Sequence, residues 1–128
     1  MGIYDHIDLR VRNLAEARSF YERLLPSLGF VHNVGIDGWL QFEAQGTDGA
    51  TQFFGVTESS GHVANECRIA FWAQSNADVD RLAEIVVRAG ARHVEGPDEQ
   101  EGPGYYAVFF EDPSGNRLEI CHRTGTAK

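Results

Sequence analysis

Cysteine is scarce in this 128-residue chain: only Cys67 and Cys121 are present, far apart and in no CxxC spacing. That removes zinc-ribbon and thioredoxin-type readings. Each lies in an apolar strand pattern and is expected as a buried, reduced thiol. Positive charge is also short, with 11 Lys and Arg against 19 Asp and Glu and a formal net charge of -8. Without a Lys/Arg cluster to offset it, that balance argues against a nucleic-acid partner. No apolar run approaches the roughly 20 residues of a membrane helix. The N-terminus lacks a basic region leading into an apolar run and a small-residue cleavage site, so no membrane partner and a cytoplasmic location are expected. HExxH and GxSxG are missing, and Gly102 and Gly104 are followed by neither Lys-Ser/Thr nor a helix pattern. Zincin, serine-hydrolase and phosphate-loop readings therefore fail.

What is present is an order of elements that runs twice. Ile7, Leu9 and Val11 alternate with His6, Asp8 and Arg10, the pattern of a strand over residues 3 to 11 with one face in a core. Asn13 is placed to cap a helix whose inner stripe is Leu14, Ala17, Phe20, Tyr21, Leu24 and Leu25, stopped by Pro26 and Gly29. Strands are expected at Phe30 to Val34, Trp39 to Ala44 and Thr51 to Thr57, joined by Gly35, Asp37 and Gly38 and by Gln45 to Gly49. The order restarts after Gly61: a strand at Glu66 to Ala73, then a helix capped by Ser75 or Asn76. Its inner stripe is Val79, Leu82, Ala83, Val86 and Val87, and it ends at Gly90. Strands follow at Arg92 to Glu95, Tyr105 to Phe110 and Arg117 to His122, the last after the Asp112-Pro113-Ser114-Gly115 turn. This predicts an α+β protein of two βαβββ modules, about 1–60 and 61–124, in one domain with a frayed tail at 125–128.

The segment HIDLRVRNLAEARSFYERLLPSLGF followed by a distant DPSGNRLEI resembles the vicinal oxygen chelate superfamily, which includes glyoxalase I, bleomycin resistance proteins, fosfomycin-modifying enzymes and extradiol dioxygenases. The resemblance covers nearly the whole chain. It implies two curved mixed sheets around a cleft, with metal ligands on the first and last strands of each module. His6 and Glu119 stand at two such positions. A third is usually a His opening His-Ile-Ala-Phe, and this chain has Arg68-Ile69-Ala70-Phe71. A guanidinium stays protonated and has no lone pair for a metal. Two readings stay open. In one, Arg68 pairs with Glu119 and replaces the ion. In the other, His6 and Glu119 hold a divalent Zn, Ni, Mn or Fe, aided by Glu66 or a water, while Arg68 binds an anionic substrate.

Other candidate ligand-contacting residues are Asp8 and Arg10 on the His6 face, Trp72 on the Arg68 face, Trp39 with Gln41, and Tyr105 or Tyr106 after Gly102-Pro103-Gly104. His32, His62, His93 and His122 have no metal-pair spacing, and His122 falls on the strand face opposite Glu119. What the resemblance implies is a small-molecule cleft in a homodimer. The protein is then either a metal-dependent lyase, isomerase or dioxygenase with a degenerate triad and Glu119 as ligand and base, or a non-catalytic protein that sequesters a small ligand, a cationic one in bleomycin-type resistance.

Overall fold

The computed structural model describes residues 3–46, 49–101 and 104–124. Its elements run β1 (His6–Val11), α1 (Leu14–Leu28), β2 (His32–Asn33), β3 (Trp39–Gln45), β4 (Thr51–Glu58), β5 (Arg68–Trp72), α2 (Asn76–Ala89), β6 (Arg92–Glu99), β7 (Tyr105–Glu111) and β8 (Arg117–Arg123). The chain divides into two compact units, Met1–Val63 and Ala64–Lys128. Gly102, Pro103 and the expected tail at 125–128 lie outside the described residues.

In the first unit the strand order is β1-β4-β3-β2, with β1 parallel to β4 and the other pairs antiparallel. Strand alternation sends Ile7, Leu9 and Val11 toward α1 and His6, Asp8 and Arg10 to the opposite face. Val11, Phe20, Tyr21, Leu24, Leu40, Phe54 and Val56 are buried there. Tyr21 meets Phe20 edge-on at 4.9 Å, and its ring lies 6.2 Å from that of Phe54. Asn13 caps α1 by accepting from the Glu16 backbone N–H, and Glu58 Oε1 accepts from Leu14 N at 2.9 Å, placing an acid at the positive helix end. Pro26 does not stop α1. It sits within the last turn, and Gly29, at φ 113, ends the helix, with the Gly29 and Phe30 N–H groups bonded back to Pro26 O and Leu25 O. The strand expected at Phe30 to Val34 shrinks to two exposed residues, because Val31 and Val34 have no core to face.

The second unit repeats the plan: order β5-β8-β7-β6, with β5 parallel to β8. Ser75, not Asn76, caps α2 by accepting from Asp78 N. Val79, Leu82, Ala83 and Val86 pack inward on Val108, Phe110, Leu118 and Ile120. Val87, expected in that stripe, is exposed. β6 extends past its expected end to Glu99, bulged twice and carrying a cis Gly96-Pro97 bond. Gly96 is required at its position: φ is +90°, and a Cβ would come 2.7 Å from Ala107 O.

Asp112 fixes the turn into β8. Fully buried, it accepts from Ser114 N at 2.8 Å, Asn116 N at 2.9 Å and Asn116 Nδ2 at 2.9 Å. Asp112→Ala leaves buried donors without acceptors, at about 1–3 kcal/mol for each. Urea unfolding should show at least about 2 kcal/mol of destabilisation, and no loss would mean the turn is held otherwise.

Candidate functional site

On β8, Arg117, Glu119, Cys121 and Arg123 point to one face of the second sheet. The registers Arg68↔Arg117 and Ala70↔Glu119 put Arg68, Ala70 and Trp72 on that same face, and Phe109↔Glu119 and Tyr105↔Arg123 add Phe109 and Tyr105. Glu119 is 6% exposed. Tyr105 donates its hydroxyl to Glu119 Oε2 at 2.5 Å. Ala107 and Cys121, both buried, stand between these residues in the register and are small enough for the Tyr105 ring to lean toward Glu119. Burial, then the hydrogen bond to Glu119 and that carboxylate's charge, push the Tyr105 hydroxyl up to about 12. Burial first, and Glu119 second, raise the Cys121 thiol, so it stays protonated and inert.

Arg68 does not pair with Glu119. Its guanidinium lies over the Phe109 ring, 4.8 Å from the centroid, and that of Arg123 lies over Tyr105 at 3.8 Å. Arg68, Arg117 and Arg123 have no carboxylate partner among the described residues. Trp72 is 70% exposed. Tyr106 takes the opposite side from Tyr105: its hydroxyl donates to Asp80 Oδ1 on α2 at 2.6 Å, which removes it from this face. His122 also lies on the helix side, against Asn76, away from Glu119. Glu66 is exposed in the segment before β5.

On the first unit, His6 stacks on Phe53 with centroids 4.3 Å apart and planes 4° from parallel. Its Nδ1 lies 2.7 Å from Asp5 Oδ1; since a carboxylate only accepts, Nδ1 carries the hydrogen of that bond. Asp8, Trp39 and Gln41 share this face through Asp8↔Gly55 and Gln41↔Gly55. Gly55 is the residue that sequence reasoning missed. A Cβ there would meet Asp8 Oδ1 and Trp39 Nε1, each at 3.0 Å, so the bare backbone lets an acid and an indole converge above β4.

The repeat gives Gly55 a further meaning. His6 and Arg68 both open the first strand of their unit, and two residues later Asp8 pairs with Gly55 as Ala70 pairs with Glu119. Gly55 is thus the first unit's counterpart of Glu119. Of the four matching positions, His6 and Glu119 carry donors, whereas Gly55 and Arg68 offer none. Among the described residues no three His, Cys, Asp or Glu side chains group so as to hold an ion. A catalytic metal usually takes three protein donors. Each unit by itself offers one donor at these positions, His6 in the first and Glu119 in the second, and neither fits a metal centre.

A family model described as "Glyoxalase/Bleomycin resistance protein/Dioxygenase superfamily" matches residues 3–120, and the chain belongs to that superfamily. A glyoxalase/bleomycin resistance protein from Albidiferax ferrireducens T118 has a similar structure: TM-score 0.76, 24% identity, covering 95% of this chain and 99% of that one. The fosfomycin resistance protein FosX from Mesorhizobium loti aligns at TM-score 0.66 and 22% identity over 98% and 94% of the two chains. FosX from Listeria monocytogenes aligns at 0.68 and 18% over 100% and 96%. These likenesses show the fold. No curated protein matches the sequence. No helix is long and apolar enough to cross a membrane among the described residues.

The phenol gives a pH test. An unfolded tyrosine ionises near about 10, so a folded value raised to about 12 stabilises the fold fully below about pH 10 and is lost as pH rises toward 12. Phenolate absorbance should show late-ionising tyrosines, Tyr105 and Tyr106 among them, and Glu119→Gln should move the Tyr105 component part of the way down by removing the carboxylate's charge. A Tyr105 that titrates unchanged in Glu119→Gln would contradict the pairing.

Proposed function

We propose that this chain is a small-molecule-binding member of its superfamily whose site works without a metal ion, with Arg68 in the place of the third ligand. The observation that carries this is the donor set: one imidazole and one carboxylate at four matching positions, the carboxylate already accepting from Tyr105. In this reading Arg68 anchors oxygen atoms of the ligand through charge-assisted hydrogen bonds, and Trp72 offers a flat apolar surface. Asp8 and Trp39 make a polar recess over Gly55 on the first unit. The protein sequesters its ligand as a homodimer. Three arginines without carboxylate partners among the described residues favour an anionic group on it over a cationic one. The resistance proteins among the similar structures support a small organic ligand.

A second reading, catalysis, draws on the Glu119–Tyr105 pair. A buried carboxylate beside a phenol that stays protonated at neutral pH can take a proton from a bound substrate while Tyr105 holds its geometry. No metal enters that step.

Elemental analysis of protein purified without added metal or chelator tests the main reading. Wild type should carry only a trace of metal. Arg68→His, which restores a third donor, should acquire Zn, Ni, Mn or Fe and lose it again when Glu119→Ala is added. Near-stoichiometric metal in wild type, abolished by Glu119→Ala alone, would overturn the proposal.

A further inference from the structure

Along β5 the open face reads Arg68, Ala70, Trp72: a cation, a methyl group and an indole, with neighbours about 7 Å apart on one edge strand. Ala70 is exposed and carries no side chain beyond Cβ, so it leaves a notch between the two large groups. The Arg68 side chain reaches across β8 to Phe109 on β7 and bounds the notch on that side. Phe109 holds its guanidinium by stacking, which occupies a flat face and leaves the N–H edge for hydrogen bonds. Arg117, its partner in the register, adds a second positive charge at that end. The acids nearest in the register, Glu119 beside Ala70 and Glu111 opposite Arg117, form no ion pair with either arginine among the described residues: Glu119 accepts from Tyr105, and Glu111 is bonded to His93. Trp72 forms the other wall, with its indole largely exposed to water.

We infer that this notch binds an organic oxyanion, a carboxylate or phosphate joined to a flat apolar body, with the oxyanion on Arg68 and Arg117, the body against Trp72, and Ala70 setting how large that body can be. The inference rests on the proposed metal-free reading and names its ligand class. Each part answers to one group. The charge needs the guanidinium fork, which matches two oxygens at once. The flat body needs an exposed ring to stack on. The size limit comes from Ala70, because any longer side chain there stands between ring and guanidinium.

Isothermal titration calorimetry with benzoate, its neutral isostere benzamide, and inorganic phosphate tests this on the full chain, with metal content measured on the same samples. Benzoate should bind and benzamide should bind at least tenfold more weakly. Arg68→Gln should weaken benzoate at least tenfold, and raising the salt concentration should weaken it too. Ala70→Leu should abolish benzoate binding while leaving inorganic phosphate within about twofold, which separates a blocked notch from a lost charge. Metal-free wild type that ignores benzoate, or binds benzamide as well, overturns the inference and leaves the metal-free reading standing. Metal-loaded wild type overturns that reading itself. A Trp72→Ala variant that dissociates a dimer without changing benzoate affinity would make this face a subunit contact and also overturn the inference.

Discussion

The parallel pairing of β5 with β8 governs what the second unit can do, because it decides which side chains share a face with Glu119. Register is unforgiving: a slip of one residue would send Glu119 toward α2 and bring Leu118 and Ile120 out to water. The buried Asp112 turn holds β8 against such a slip at its entry, and the packing of Leu118 and Ile120 under α2 holds it along its length. With the register fixed, Arg68 stands beside Arg117 and Ala70 beside Glu119. The carboxylate then finds its donor in Tyr105 rather than in the guanidinium.

The same pairing recurs in the first unit, and it lets residue type vary at these positions without disturbing the fold. His6, Gly55, Arg68 and Glu119 occupy matching places on two sheets built alike, and none of them lies in the hydrophobic layers under α1 and α2. Replacing a ligand there costs the fold little. The chemistry changes far more, since an arginine brings a permanent charge and five donors where a histidine would bring a lone pair. Gly55 removes a side chain altogether, and the space goes to Asp8 and Trp39.

Much of this was legible in the sequence, for physical reasons. The twofold strand and helix order, Asn13 as a cap, and the left-handed glycines 29 and 90 follow from local rules that tertiary contacts reinforce. The departure at Arg68 could be seen from residue type alone. Other features depend on partners that no local pattern supplies. Pro26 fits inside α1 because it falls in a last turn closed by the Gly29 cap. Val87 lies at helical spacing yet is exposed, and Tyr106 follows Tyr105 but must point the other way on a strand. The role of Gly55 shows only when β1 and β4 are aligned against β5 and β8. Its signal in the sequence was a glycine in the middle of a strand, which marks a close approach by something else.

Amide NMR spectra during a titration with Mn²⁺ show whether the donors present assemble a metal site. Paramagnetic broadening is local, so it reports where an ion sits rather than only whether one is present. With no metal site assembled, broadening should be weak and scattered near exposed acids, and none should centre on Glu119 or His6. Sharp loss of the signals around both residues at a single equivalent of Mn²⁺ would contradict the metal-free reading.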